Sequence, residues 1–397
     1  MTKFIQLHLL TSYPPSNLNR DDLGRPKTAV MGGVQRLRIS SQSLKRAWRT
    51  SDLFLDSLVG HAGIRTRRIG QAIKKSLMSG VDLSEILRNP EKEYGSGSGI
   101  PEKDATQWAW QMAAVFSDKS AKAEDEEIIE EEAEEKSNKK GKKDKKSKSN
   151  VDKDTLAGEV LVFYSPEEIK ACESLVLTLI KEKRPSKDTE IKSLPNKTVS
   201  GADLGLFGRM LASNPKFNVE AACQVAHAIT VHKVAVEDDY FTAVDDLNKQ
   251  EEDAGAGHIG ETEFAAGLFY LYVCVDSDLL VKNLSGNKEL AQKTIRALVE
   301  CMATIAPTGK QNSFASRAYA SYVLAEKGNK QPRSLSVAFL TPIDDKKDLL
   351  DTAIGQLEAT RDKMDAVYGK VAEESQELNA KSGKGTLADL IKFVASF

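Results

Sequence analysis

Short apolar-rich runs divided by polar stretches set the pattern at the start of the chain. Residues 4–10 (FIQLHLL) and 34–40 (VQRLRIS) read as strands, and 41–59 reads as one helix with apolar positions recurring at helical spacing. Helical periodicity returns over 108–116 and 167–183. Farther on, the pattern predicts a helix over 219–231, a buried strand over 264–276, a helix over 288–305 and a strand over 335–340. A helical tail over 345–370 and an amphipathic helix over 386–395 close the chain. Strands and helices mix without regular βα alternation and without a 20–50-residue repeat, so the expected class is α+β rather than a doubly wound sheet.

One stretch breaks the pattern. Residues 123–150 are low in complexity, acidic first and lysine-rich afterwards, and cannot bury a core; they read as a solvated insert between ordered segments. The remainder has the balance of a globular protein, 40% hydrophobic and 29% charged over 397 residues. The longest apolar stretch, 265–275, has 11 residues, too few to span a bilayer, and the N-terminus lacks a secretory cleavage site; a cytoplasmic protein is expected. The four cysteines are each at least 26 residues apart, which excludes a CxxC knuckle, and they read as reduced core thiols. His227 and His232 are five apart, not on one helical face, so no metal site and no cofactor is expected.

Charge is unevenly spread, although the net value is only −2. Residues 1–75 carry 14 Lys and Arg against four acids, whereas the 118–154 block is nearly balanced and the rest of the chain is acidic. A basic N-terminal region on an otherwise acidic protein is the footprint of a polyanion partner, and nucleic acid is the natural one.

The stretch RLRISSQSLKRAWR, residues 36–49, concentrates that charge. On a strand, Arg36, Arg38 and Ser40 share one face and both arginines are expected to meet a ligand, while Leu37 and Ile39 point inward. Ser40 or Ser41 then caps a helix whose free amides and positive dipole end lie beside the arginines, which together make a phosphate seat. On the helix Gln42, Lys45, Arg46 and Arg49 fall on one face, opposite Leu44 and Trp48. The plain alternative is a surface helix with a cationic outer face. Upstream, 18–33 (LNRDDLGRPKTAVMGG) is a long polar loop that offers Arg20, Arg25 and Lys27 to a backbone. Asp21 and Asp22 are the one carboxylate pair placed for metal-assisted hydrolysis, though adjacent residues on a loop need further ligands to hold an ion. Gly95 to Gly99 and Gly309–Lys310 do not meet the spacing of a phosphate loop, and no nucleophile-elbow or zinc-protease motif occurs. The acids at 237–239, 245–246 and 251–253 read as a solvated hairpin.

The segments LNRDD (18–22), GGVQRLRISSQSLKRAWR (32–49), GRM (208–210), AHAIT (226–230), FTAVDDL (241–247) and GHIGETEFAAGLFY (257–270) are together similar to the CasC family, the backbone subunits of type I-E CRISPR Cascade. The resemblance implies a right-hand architecture: an RRM-like palm over 1–58 and 271–397, mainly helical fingers over 59–225 that contain the charged insert, and an extended thumb hairpin over 232–270. It implies an antiviral ribonucleoprotein without catalysis, in which copies polymerise along a CRISPR guide RNA, kink it at intervals and present it to a target DNA strand beside other Cascade subunits. The runner-up is an RNA endonuclease of a related backbone using Asp21 or Asp22. Carried over residue by residue, the guide contacts are Arg20, Lys27, Arg38, Ser40, Gln42, Lys45, Arg46 and Arg49, together with Arg209 and Met210 of GRM and Phe241 of FTAVDDL. Met210 and Phe241 match positions that wedge against bases at the kink; without the resemblance both would read as core. The chain has no RGFGFV-type aromatic run for stacking bases, in keeping with binding that ignores sequence.

Overall fold

β1 (Phe4–Ser16) runs through the middle of a nine-stranded sheet, between β9 (His258–Asp276) and β10 (Ala320–Gly328). The strand order is β11 (Glu374–Asn379), β10, β1, β9, β7 (Ala228–Thr230), β3 (Val34–Ile39) and β2 (Thr28–Met31), and β6 (Cys223–Val225) and β8 (Glu237–Ala243) also pair with β9. The ladders are antiparallel throughout. The computed structural model describes residues 3–116, 156, 158, 161–196, 200–211, 214–243, 258–344 and 348–397; the charged 118–154 block and the acids at 245–246 and 251–253 lie outside them.

Two compact units divide the chain. The first comprises 1–59, 222–282 and 287–397 and contains the large sheet; the second comprises 60–221 and 283–286. In the first, alternate residues of the central strands feed two layers. Leu10, Tyr270, Tyr322 and Leu324 pack with Leu335, Phe339 and the helix Leu349–Tyr368, and odd-numbered residues such as Leu7, Val273 and Val323 are buried on the opposite face. Lys327, also on that opposite face, reaches the Ser396 carbonyl at 3.0 Å and lies over the Phe393 ring, which ties in the last helix, Leu387–Ala395. The second unit is mainly helical around Ile73, Leu77, Trp108, Met112, Cys172 and Val176, with a two-stranded sheet of β4 (Ile64–Thr66) and β5 (Val162–Tyr164).

The structure is α+β, and it corrects three local expectations. The 219–231 stretch is not a helix: β6 and β7 each pair with β9, because a central strand with unpaired edges outweighs a short, ambiguous apolar period. The 335–340 stretch is a 3-10 turn, Ser336–Phe339, whose buried residues Leu335 and Phe339 are four apart rather than two, with Phe339 against the Tyr270 ring. The 41–59 helix is broken into α1 (Ser41–Arg49) and α2 (Asp52–Ser57). Ser51 causes the break: its hydroxyl donates to the Trp48 carbonyl at 2.7 Å and accepts from the Phe54 amide, closing one helix and capping the next. The strands β2, β4, β5, β10 and β11 have no counterpart in the sequence reading.

Candidate nucleic-acid interface

Two asparagines anchor the basic loop of the first unit, Asn17 to β9 and Asn19 to the start of α1. Asn17 is fully buried and its amide donates at 2.9 Å to the carbonyls of Gly24 and Glu263, which fixes the loop to β9. The Asn19 carbonyl accepts from the Lys27 amide at 2.8 Å, and its side-chain oxygen accepts from the Ser40 amide at 2.9 Å. The Lys27 carbonyl in turn accepts from the Arg38 amide at 2.8 Å. Through this chain of bonds the loop, the end of β3 and the start of α1 form one surface that carries Arg20, Lys27 and Arg38, while Ser40 itself is buried beneath it.

Ser40, not Ser41, is the N-cap of α1: its hydroxyl accepts from the Ser43 amide at 3.3 Å. No acid occupies the first turn, so nothing there opposes an incoming anion. Leu44 and Trp48 are buried, which turns the opposite face of α1, with exposed Gln42 and Arg46 and half-buried Lys45 and Arg49, outward. Arg38 donates to His227 Nδ1 at 2.8 Å, a contact that needs the imidazole neutral. Partial burial, then the charges of Arg38 and Lys27, hold the pKa of His227 below its ordinary value.

Arg36 departs from the expected pattern. Its guanidinium is fully buried and donates to the carbonyls of Thr230 at 2.9 Å, Phe339 at 3.0 Å and Met31 at 3.4 Å. It does share a face with Arg38, but the Ser336–Phe339 turn covers that face at Arg36. The residue therefore braces β3 rather than meeting a ligand. Asp21 is committed as well: one carboxylate oxygen accepts from the amides of Leu23 at 3.0 Å and Arg25 at 2.9 Å, closing the loop's turn. Among the described residues, no three His, Cys, Asp or Glu side chains gather where a metal could sit.

In the same unit β8 and β9 form a hairpin whose register sets Phe241 opposite Gly260. A Cβ on Gly260 would lie 2.3 Å from the Phe241 ring, so the missing side chain is what lets the ring lie across the neighbouring strand. Phe241 remains 44% exposed and Tyr240 65% exposed.

The second unit separates two neighbours that the sequence reading put together. Arg209 is buried: it pairs with buried Glu168 at 2.6 Å and donates to the carbonyls of Phe163, Asn196 and Phe217. Its side chain is an internal brace rather than the exposed RNA contact expected from sequence, a correction that follows from its burial and from the internal acceptors of both Nη groups. Backbone bonds between Arg209 and Val219 at 2.9 Å, and a left-handed Gly208 whose Cβ would lie 2.7 Å from the Val219 carbonyl, hold the segment rigid. Met210 projects from it, 82% exposed. No role at the interface was assigned to Asn17, Asn19, His227 or Gly260 from sequence; Asn19, His227 and Gly260 lie within the LNRDD, AHAIT and GHIGETEFAAGLFY segments, whereas Asn17 had only its place beside the basic loop as a signal.

The sequence profile of the CT1975-like protein family matches residues 5–392. A solved chain described as "CRISPR RNA-guided surveillance complex, pre-nicking" is 29% identical with a TM-score of 0.73, and the match covers 99% of each chain. Another, described as "CRISPR RNA-guided surveillance complex", is 24% identical with a TM-score of 0.63, again over 99% of each chain, and is a likeness of fold. No curated protein matches the chain.

Proposed function

The chain belongs to the CT1975-like protein family, and from that premise we propose that it is a backbone subunit of a CRISPR RNA-guided complex of the type I-E kind, one that grips a guide RNA by its phosphates and leaves the bases to pair with a target DNA strand. The observation that carries the reading is the hydrogen-bonded continuity of the 18–27 loop, Arg38 and the start of α1, which gathers Arg20, Lys27, Arg38 and the α1 N-terminus in one basic surface, with Arg46 exposed farther along the same helix. Phosphate contacts carry no sequence information, which suits a subunit that must accept any guide. Met210 and Phe241 are the proposed wedges: exposed apolar side chains on rigid segments replace a lost stacking partner without selecting a base. Several copies would follow one guide head to tail, a heterologous arrangement limited by the length of the RNA. The palm, fingers and thumb assignments belong to this proposal.

The subunit is proposed to be non-catalytic. Cleavage by Asp21 or Asp22 is the competing reading, and the use of Asp21 as a turn-closing acceptor speaks against it. Incubation of the assembly with labelled RNA and magnesium distinguishes the two: cleavage that disappears in Asp22→Asn would refute the scaffold.

Guide binding itself is tested with Lys45→Glu combined with Arg49→Glu. The double reversal is expected to weaken binding at least about a hundredfold and to lower the slope of log affinity against log salt by about 1.4, at about 0.7 per lost phosphate contact. Wild-type affinity and slope in this variant would remove α1 from the interface.

A further inference from the structure

His227 stands at a break in the sheet. β6 and β7 both pair with β9, but the register shifts by one residue between Val225↔Val273 and Ile229↔Tyr270, so the chain bulges over Ala226 and His227. The bulge turns an exposed imidazole away from the ladder. In the neighbouring ladder Arg38 pairs with Ile229 and Ile39 with Ala228, which leaves His227 one step farther on, level with Ser40 at the start of α1. Arg38 Nη1 donates to its Nδ1 at 2.8 Å. The charged groups acting on it are Arg38 from β3 and Lys27 from the loop, and among the described residues no carboxylate acts on it. A bulged, exposed histidine has thus been set among cations and a helix N-terminus with no acid to balance them. As a guanidinium acceptor it holds Arg38 in place only while neutral.

We propose that His227 is a phosphate ligand of the guide site, and that it takes up a proton as the RNA binds. This rests on the guide-binding reading above and adds to it. In the free protein the neutral ring accepts from Arg38 and orients it. When a phosphodiester arrives, Arg38 turns its donor to a phosphate oxygen. The vacated Nδ1 then takes a proton from solvent and donates to the same phosphate, whose negative charge offsets that of Arg38 and Lys27. One imidazole per subunit gains a proton; the Arg38–His227 hydrogen bond is exchanged for two to the phosphate, and no other covalent bond changes. The sign is fixed by linkage: the ring's pKa is higher in the complex than in the free protein, so affinity rises as pH falls and the gain is lost as pH rises through the value in the complex.

The test uses the full chain and a labelled guide RNA at constant salt between pH 5.5 and 8, with wild type and His227→Gln, which keeps an acceptor for Arg38 but does not titrate. Wild type is expected to bind about tenfold more tightly at the acid end for each unit by which the phosphate raises the pKa, and His227→Gln to have a flat profile that meets wild type near pH 8. Calorimetry at pH 6.5 in two buffers of different ionisation enthalpy should record proton uptake for wild type and none for the variant. Tight binding with the same pH profile and the same proton uptake in both proteins would overturn the role of His227 and leave the guide-binding reading standing. Absence of RNA binding by wild type at every pH would overturn both.

Discussion

Arg209 and Met210 are adjacent, and the alternation of an extended segment gives them opposite roles: one side chain enters an ion pair with Glu168, the other is left in solvent. Their loss should register in different measurements. Arg209→Ala leaves Glu168 buried and unpaired and is expected to cost the second unit about 3–5 kcal/mol in chemical denaturation. Met210→Gly is expected to leave stability within about 1 kcal/mol and to reduce the fluorescence change of a 2-aminopurine placed at the kinked nucleotide. Full stability in Arg209→Ala would contradict its role as a brace. The sequence announced positive charge at Arg36 and Arg209 as readily as at Arg38, yet it did not announce their acceptors. Those are backbone carbonyls and a carboxylate brought in from distant segments, and no local pattern encodes them.

The β8–β9 hairpin depends on a glycine for the pose of its aromatic residue. Gly260→Val would drive the Phe241 ring off the neighbouring strand, since even a Cβ there lies 2.3 Å from it. The variant is expected to alter the kink reported by nucleobase fluorescence while guide affinity stays within about threefold, because the phosphate contacts lie on other elements. An unchanged fluorescence signal would mean that Phe241 does not touch the bases. At this scale, elements with a strong period and clear caps, such as the helix Pro166–Glu182 after Ser165, were legible. β10 was not: its sequence ASYVLAEKG ends in polar residues that are buried only because partners stand ready, Arg333 for Glu326 and Ser396 for Lys327. The bulge at His227 was invisible for a related reason, since register is a property of two strands and not of one.

The first unit also contains a buried polar network that spans β1, β9 and β10. His8 meets the Tyr270 hydroxyl at 2.8 Å and Glu326 at 3.3 Å, Arg333 pairs with Glu326, and Arg333 reaches Asp365 at 3.4 Å. Burial lowers the pKa of His8 and keeps it neutral. Burial alone would raise Glu326, but hydrogen bonds from His8 and Arg333 hold it down at about 2. Both groups therefore bind protons less readily folded than unfolded. Stability should decline once pH falls below the ordinary histidine value of about 6.5, and decline further through the carboxylate range as pH approaches 2. His8→Gln is expected to remove the first part of this decline in thermal unfolding between pH 7 and 5, and a wild-type profile in the variant would show that His8 does not couple to folding. The α+β class and the location of the basic surface could be read from sequence, because periodicity and charge are local. The division into two units interleaved in sequence could not be read from periodicity or charge, because it is made by contacts between segments far apart in the chain; only the family resemblance implied a discontinuous organisation. The most direct test of the account as a whole is nuclease footprinting, at single-nucleotide resolution, of whatever RNA accompanies the purified assembly. A bound guide with accessible nucleotides at one regular interval along its length is the predicted result; an assembly free of RNA, or protection without periodicity, would contradict it.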